Sequence, residues 1–131
     1  MILPDTSAWV EYFRATGSTV HLQVRALLGS KFEHVATTSL VVMELAAGIR
    51  TSSELRGVQR MTVSCRLLRT GDPDDYLNAA TIYRACRRGG ETIRTMIDCV
   101  IAAVAIREHA EVLHHDRDFD AIARHTPLQL A

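Results

Sequence analysis

A chain of 131 residues, of which 47% are hydrophobic and 5% aromatic, can bury the apolar core of one domain but leaves too little for two. Fifteen Lys and Arg residues balance fifteen Asp and Glu residues, so no overall charge attracts nucleic acid or an anionic membrane, and any polyanion site must be local. The first five residues contain neither a basic stretch nor a long apolar run, which argues against a signal peptide or a membrane span and predicts a cytoplasmic protein.

The first half of the chain begins with a predicted strand that leads into a helix. Met1–Leu3 is apolar, and Asp5-Thr6-Ser7 is a typical helix start, with Pro4 tolerable near the end of the strand. Ser39 is expected to cap a later helix, and a capping box from Thr51 to Glu54 opens another. The predicted elements of this half are a strand at 1–3 and helices at 8–13 and around 20–28, then a strand at 34–37 and helices at 40–49 and 52 to about 68.

Caps and glycines also divide the second half. Asp72 is expected to cap a helix with Pro73 in its first turn, Gly89-Gly90 ends that helix, and Thr95 caps the next one. The predicted elements are helices at 74–88 and 96–109, a strand at 111–115, a short helix at 118–124 and a strand at 128–130. This order predicts an α/β fold with a mostly parallel central sheet and helices on both faces. Ligands in such folds collect at the carboxyl ends of the strands.

Two acidic residues lie where the pattern predicts core. Glu44 is the only charged residue between Leu40 and Ile49, and Asp98 is the only one between Ile97 and Ile106. Asp98 shares a helical face with apolar residues at the i+3, i+4 and i+7 positions and is therefore expected to point inward. A carboxylate withdrawn from water costs several kcal/mol or more unless it is paired, hydrogen-bonded or bound to a metal.

Two further acids follow predicted strands, where distant parts of an α/β chain come together. Asp5 follows the first strand and Asp116 follows the strand at 111–115. Each acid has an ordinary alternative, because an Asp after a strand is often a helix cap and Glu44 could lie at a partly exposed position beside an Arg. One shared cation site explains all four acids, whereas the structural alternatives need a separate reason for each.

Carboxylates without His or Cys partners favour Mg²⁺ or Mn²⁺ over Zn²⁺, because they are hard oxygen ligands. Acidic clusters of this kind serve phosphoryl transfer. Two ions about 4 Å apart can activate water on one side of a phosphodiester and stabilise the leaving oxygen on the other. Such a site requires no nucleophilic side chain.

Four short motifs, in this order and at these spacings, resemble those of a PIN domain. They are Asp5-Thr6-Ser7-Ala8-Trp9, Val42-Met43-Glu44-Leu45 with Gly48, Asp98-Cys99-Val100-Ile101-Ala102-Ala103, and His115-Asp116-Arg117-Asp118-Phe119. More narrowly, essentially the whole chain resembles the VapC-type toxin ribonucleases of bacterial type II toxin–antitoxin systems. The resemblance implies a single PIN-like domain over residues 1–131, a three-layer α/β/α fold, and a metal-dependent endoribonuclease that hydrolyses RNA, with tRNA as a substrate suggested by family alone.

The resemblance also implies partners and site residues. It implies homodimers and a small VapB-type antitoxin that inhibits the toxin, in a heterotetramer or a higher complex. An amphipathic antitoxin segment would lie in an apolar groove and insert a basic side chain among the acids. The implied catalytic and metal-binding acids are Asp5, Glu44, Asp98 and Asp116, with Asp118 as a fifth acid for a second ion. Thr6 or Ser7 would support the site by hydrogen bonding, although either could be a simple helix cap.

Arg94 and His115 are the candidates for RNA contact. Arg94 belongs to a local positive segment with Arg84, Arg87 and Arg88, which is either an RNA-backbone contact or an ordinary basic helix end. His115, beside Asp116, could contact the scissile phosphate or transfer a proton. The His114-His115 pair and Pro4 depart from the expected family pattern; they remove no acid but could alter the approach of substrate.

Two other classes of function remain open. A non-catalytic PIN-like binding module would keep the fold, although it would have no need to retain buried acids. A receiver-type phosphorylation domain has a similar fold and an acidic Mg²⁺ pocket, but it requires a Lys after a late strand. The only lysine, Lys31, falls in an early helical region, which argues against this alternative.

Overall fold

The computed structural model describes residues 1–30 and 32–131; Lys31, on which the receiver-type alternative depends, lies outside the described residues. Strands and helices alternate along the chain, and this confirms the α/β prediction. The strands are β1 (Ile2–Pro4), β2 (Ala36–Thr37), β3 (Arg66–Leu67), β4 (Glu111–Leu113) and β5 (Gln129–Leu130). The helices are α1 (Thr6–Phe13), α2 (Thr19–Ser30), α3 (Ser39–Ala47), α4 (Ser52–Ser64), α5 (Asp74–Arg88), α6 (Met96–Arg107) and α7 (Arg117–His125). A 3-10 turn covers Phe32–His34.

Every strand pair in the described residues is parallel. β1 pairs with β4, placing Leu3 opposite Val112, and β4 pairs in turn with β5. β2 pairs with β3, and an isolated parallel bridge between Ile2 and Val35 joins this pair to β1. The resulting strand order is β3-β2-β1-β4-β5.

The strand order reverses direction beside β1, and this reversal determines where a site can form. The chain moves outward from β1 through β2 to β3, and then crosses back to β4 and β5 on the other side. Because parallel crossovers are right-handed, the helices of the outward path and those of the return path cover opposite faces of the sheet. The carboxyl ends of β1 and β4 therefore flank a crevice of the kind in which α/β folds bind ligands.

Helix α6 lies in the middle of the core. All residues from 98 to 105 are buried, so this helix has no solvent-facing side over two turns. The small side chains of Ala102, Ala103 and Ala105 allow neighbouring elements to approach it closely. The one charged residue in this stretch, Asp98, is therefore buried together with its apolar neighbours.

One predicted helix end and two predicted helix caps were wrong, because of a contact between distant residues or a different capping group. Helix α4 ends at Ser64 and not near Leu68, because residues 66–68 form backbone hydrogen bonds with the β2 segment and create strand β3. Asp72 does not cap α5; the buried Asp75 carboxylate accepts from the Gly71 N–H at the start of that helix. Helix α3 is capped by Thr38, one residue before the predicted Ser39.

The cysteines and the helices give no sign of a disulfide or a membrane span. Cys65, Cys86 and Cys99 are all free and buried. Within the described part of the chain, no helix combines the length and the apolar character needed to cross a membrane.

Candidate active site

The predicted acids gather at the carboxyl edge of β1 and β4. The N–H of Asp5 donates to the carbonyl of Leu113 over 3.0 Å, so the residue that follows β1 lies against the end of β4. Asp116 follows β4 after two residues and caps α7, where it accepts from the Asp118 N–H over 3.0 Å. This edge is the crevice that the reversal of strand order creates.

Three of the acids form a compact cluster. Asp98, Asp116 and Asp118 each offer a carboxylate oxygen, and these oxygens lie within 4.8 Å of one another. Asp98 comes from the first turn of α6, capped by the hydroxyl of Thr95, and the other two come from the start of α7. Three oxygen donors from two rigid helices at this separation match the ligand chemistry of Mg²⁺ or Mn²⁺.

Asp98 is the electrostatic centre of the site. Its side chain is only 5% exposed, and its Oδ2 atom is buried without a hydrogen-bond partner among the described residues. Burial first, and then the negative charges of the surrounding acids, raise the pKa of Asp98 to about 7. The acids that contribute are Asp116, Asp5, Glu44 and Asp118, in decreasing order. The charges of all five predicted acids therefore influence one another. No positively charged group of the described residues is hydrogen-bonded to Asp98 Oδ2.

Asp5 is held by a hydrogen-bond relay through Ser7. The buried Asp5 carboxylate accepts from the Ser7 hydroxyl over 2.7 Å and from the Ala8 N–H over 3.2 Å. Burial raises the pKa of Asp5 in spite of these donors. The Ser7 oxygen in turn accepts from the His115 N–H over 2.7 Å, which joins the end of β1 to the end of β4. Ser7 therefore fixes both the carboxylate and the relative position of the two loops.

Glu44 is positioned by Thr6. Glu44 lies half-buried on α3, and its Oε1 atom accepts from the Thr6 hydroxyl over 2.7 Å. Because α1 begins at Thr6, this contact fixes a carboxylate of α3 relative to the end of β1. The two predicted supporting residues thus contact one acid each.

Arg94 contacts two of the acids directly. Its Nη2 atom donates to Asp116 Oδ1 over 2.5 Å, and its Nε atom donates to Asp118 Oδ2 over 3.0 Å. The Arg94 main-chain N–H also donates to Asp118 Oδ2, over 3.1 Å. The side chain is 56% exposed, so one edge of the guanidinium faces solvent.

Four of the acids share a pattern in which one carboxylate oxygen is held by protein donors and the other is left for a ligand. The held atoms are Asp5 Oδ1, Glu44 Oε1, Asp116 Oδ1 and Asp118 Oδ2. The second oxygen of each has no hydrogen bond from the described residues, and the buried Asp98 Oδ2 also lacks one. The buried Asp98 Oδ2 atom is costly unless a cation compensates it, and the surrounding acids offer further oxygens, so the residues fit a divalent metal ion.

The two adjacent histidines have different surroundings, and the predicted RNA contact of His115 stays a prediction. The side chain of His115 is exposed, and its recorded contact with the site is the main-chain N–H to Ser7. His114, which the sequence analysis did not select, accepts from the Asp116 N–H through Nδ1 over 3.1 Å and packs its ring against Phe119. The sequence shows that His114 follows β4. It does not show which of the adjacent His114 and His115 side chains points inward.

Comparison with known proteins agrees with this architecture. The PIN domain family profile matches residues 2–125. The chain is 47% identical to VapC ribonuclease Mb1587 of Mycobacterium bovis and to ribonuclease VapC11 of Mycobacterium tuberculosis, over 100% of this chain and 98% of each relative. The chain therefore belongs to the PIN domain family.

Solved structures share the fold at lower sequence identity. VapBC2 from Rickettsia felis, bound to a DNA fragment from its promoter, superposes with a TM-score of 0.75 at 16% identity, covering 100% of this chain and 98% of the other. Mycobacterium tuberculosis VapC20, a toxin that cleaves the sarcin-ricin loop, superposes with a TM-score of 0.69 at 20% identity, covering 98% and 99%.

Proposed function

We propose that this protein is an endoribonuclease that depends on Mg²⁺ or Mn²⁺ and acts as the toxin of a toxin–antitoxin pair in the cytoplasm. The observation that carries the proposal is the buried, unpaired Oδ2 atom of Asp98 among four other acids. A protein that did not bind a cation would gain nothing from this arrangement, because the uncompensated carboxylate opposes folding. The whole-chain relatives named as ribonucleases support the same conclusion.

The residues divide into groups that would hold a metal and groups that would orient those ligands. Asp98, Asp116 and Asp118 would hold the ion, with Asp5 and Glu44 completing the negative wall of the crevice. When bound, Mg²⁺ or Mn²⁺ supplies the positive charge that activates water and stabilises a phosphodiester as it gains negative charge. Thr6 and Ser7 keep Glu44 and Asp5 in place by single hydrogen bonds.

The approach of RNA is assigned to the exposed rim of the crevice. Arg94 donates to the acids from Nε and Nη2. The N–H groups of its guanidinium that face solvent are available to a phosphate of the RNA backbone. The side chain of His115 is exposed, and its main-chain N–H donates to the Ser7 hydroxyl, which places His115 next to the acids. We assign phosphate contact to both residues, with transfer RNA as the expected substrate class.

Cleavage of a mixed cellular RNA pool tests this proposal. Purified protein is incubated with Mg²⁺, with Mn²⁺ and with EDTA, alongside D98N and D74N. Asp74 is an exposed acid on α5, so D74N makes the same chemical change away from the crevice. We expect discrete products from the wild type and D74N with either metal, and none with EDTA or D98N. No cleavage by folded protein under any metal would favour the non-catalytic binding module.

An antitoxin is the proposed partner, and two adjoining clefts support this assignment. One cleft of about 70 Å³ lies between α1, α3 and α4 and is lined by Glu44 among apolar side chains such as Val10 and Leu45. The other, of about 340 Å³, is lined by aromatic residues including Trp9. Phe13 lines both clefts, and Gly57 of α4 accommodates its ring, since a Cβ atom there would lie 2.7 Å from Phe13 Cε1.

An apolar groove that ends at an acid suits an amphipathic segment with one basic side chain. The solved VapBC and FitAB structures that share this fold support a similar pair here. We propose a VapB-type antitoxin, with this chain as a single domain that forms homodimers in a heterotetramer or a higher complex.

Inhibition by a candidate VapB-type antitoxin tests the partner. Ser64 lines the larger cleft and is exposed at the end of α4, away from the acids. S64W should fill the cleft, weaken inhibition by at least about tenfold and leave RNA cleavage unchanged. Equal inhibition of S64W and the wild type would place the partner elsewhere, and light scattering of both mixtures would give the stoichiometry.

A further inference from the structure

The side chain of Arg94 lies where a second metal ion would need its ligands. Asp116 Oδ1 accepts from Arg94 Nη2 and from the Asp118 N–H, and Asp118 Oδ2 accepts from Arg94 Nε and the Arg94 main-chain N–H. A carboxylate oxygen accepts about two hydrogen bonds, so both atoms are saturated. The guanidinium thus occupies two of the four carboxylate oxygens that the start of α7 brings to the cluster.

Within the compact cluster of Asp98, Asp116 and Asp118, the oxygens that remain fit one ion. Asp98 Oδ2, Asp116 Oδ2 and Asp118 Oδ1 have no hydrogen bond from the described residues, and these three residues form a single site. A second ion on the α7 side of this cluster would compete with Arg94 for Asp116 Oδ1 and Asp118 Oδ2. The positive charge of Arg94 also repels an ion that approaches from its side.

We propose that Arg94 is a built-in cation that limits the acidic cluster to one divalent ion. This inference rests on the metal site of the proposed function. Arg94 takes the place of the second positive charge, and it fixes Asp116 and Asp118 so that each offers one oxygen to the ion. Under this proposal Asp118 serves the same ion as Asp98 and Asp116, whereas the sequence expectation gave it to a second ion.

The number of Mn²⁺ ions bound to the protein tests the proposal without any activity measurement. Titration calorimetry measures the binding of Mn²⁺ to the wild type, R94Q and R25Q. Electron paramagnetic resonance measures the concentration of free Mn²⁺ in the same mixtures. R94Q removes the guanidinium but keeps the main-chain N–H that anchors the loop to Asp118. Arg25 is exposed on α2, so R25Q makes the same change of charge away from the acids.

We expect about one equivalent of Mn²⁺ on the wild type and on R25Q, and about two on R94Q with the first bound about tenfold more tightly. Two equivalents on the wild type would overturn the role of Arg94 and leave the proposed metal site intact. A folded R94Q that still binds one equivalent would show that Arg94 is only a structural tie between the α5–α6 loop and α7. No binding to the wild type would refute the metal site itself.

A second measurement on the wild type does not depend on how well R94Q folds. The Arg94 Nε–H proton is hydrogen-bonded to Asp118, so it should exchange slowly with water in an NMR spectrum. Under the proposal it remains protected after Mg²⁺ saturates the protein. Exchange as fast as that of the exposed Arg25 side chain, once Mg²⁺ is added, would show that metal displaces the guanidinium and would overturn the proposal.

Discussion

Replacing Asp98 with Asn is expected to stabilise the metal-free fold. The unfolded chain loses the Asp98 proton near its ordinary pKa of 3.8, whereas burial first and then the surrounding acids hold the pKa in the fold at about 7. The wild type therefore loses stability as the pH rises between these two values, and the loss is complete above about pH 7. The difference between the two pKa values corresponds to roughly 4 kcal/mol.

Urea unfolding in EDTA at several pH values measures this effect. The buried Asn amide needs hydrogen bonds of its own, which reduces the gain by about 1 kcal/mol. D98N should therefore be less than about 1 kcal/mol more stable than the wild type at about pH 5, and about 3 kcal/mol more stable at about pH 8. The difference between the two proteins should grow with pH and then level off.

Asp75 provides a control of opposite sign. It is also fully buried, but its carboxylate accepts from Arg107 Nε over 3.0 Å and from Arg107 Nη2 over 2.9 Å. Burial alone would raise the pKa of Asp75, yet the hydrogen bonds from Arg107 and Gly71 outweigh it and lower the pKa. D75N should lose about 1–3 kcal/mol, because it removes the buried negative charge that accepts two hydrogen bonds from Arg107. A D98N variant that is less stable than the wild type at about pH 8, or a pH-independent gain, would refute the account of Asp98 as an uncompensated charge.

Three further predictions concern the metal, Ser7 and the turn after α5. Mn²⁺ at about 100 times its Kd should raise the unfolding free energy of the wild type by about 2.7 kcal/mol, and D98N should lose most of that gain. Equal gains for the wild type and D98N in a thermal-shift assay would argue against the metal site. S7A removes the donor to Asp5 and the acceptor for the His115 N–H, so we expect a loss of about 1–2 kcal/mol in urea together with slower RNA cleavage, and unchanged values would contradict the relay. G89A would place a Cβ atom in steric clash with His125 Cε1 and should cost about 1–3 kcal/mol in urea, whereas wild-type stability would show that the ring moves freely.

The fold class could be predicted because caps and apolar spacing agree along most of the chain. Asp5, Thr51, Thr95 and Asp116 each precede a helix, and each accepts a main-chain N–H of that helix in the structure. Strand β3 could not be predicted in this way. It has two exposed residues and no apolar alternation, and it exists because its backbone pairs with β2.

The candidate site could be predicted in part, since an acid inside an apolar helix is visible in the sequence. Asp98 lies in the buried cluster, as that pattern indicates, and the catalytic roles of the acids remain predictions. Arg94 was predicted to contact RNA, and that contact stays a prediction; its contacts with two acids were not expected from the sequence. The charge of a residue in the sequence does not show which groups its side chain contacts. For Arg94, these contacts depend on the conformation of the loop before α6.

The reversal of strand order beside β1 has a consequence for how the protein is made. Asp5 is among the first residues to leave the ribosome, and Asp116 follows only after β2, β3, β4 and the helices from α1 to α6 have been synthesised. The hydrogen bond from the Asp5 N–H to the Leu113 carbonyl and the one from the His115 N–H to the Ser7 hydroxyl cannot form until β4 and the residues after it have been translated. A nascent or prematurely terminated chain that ends before β4 therefore lacks Asp116 and Asp118, and the acidic crevice is complete only when translation is nearly finished.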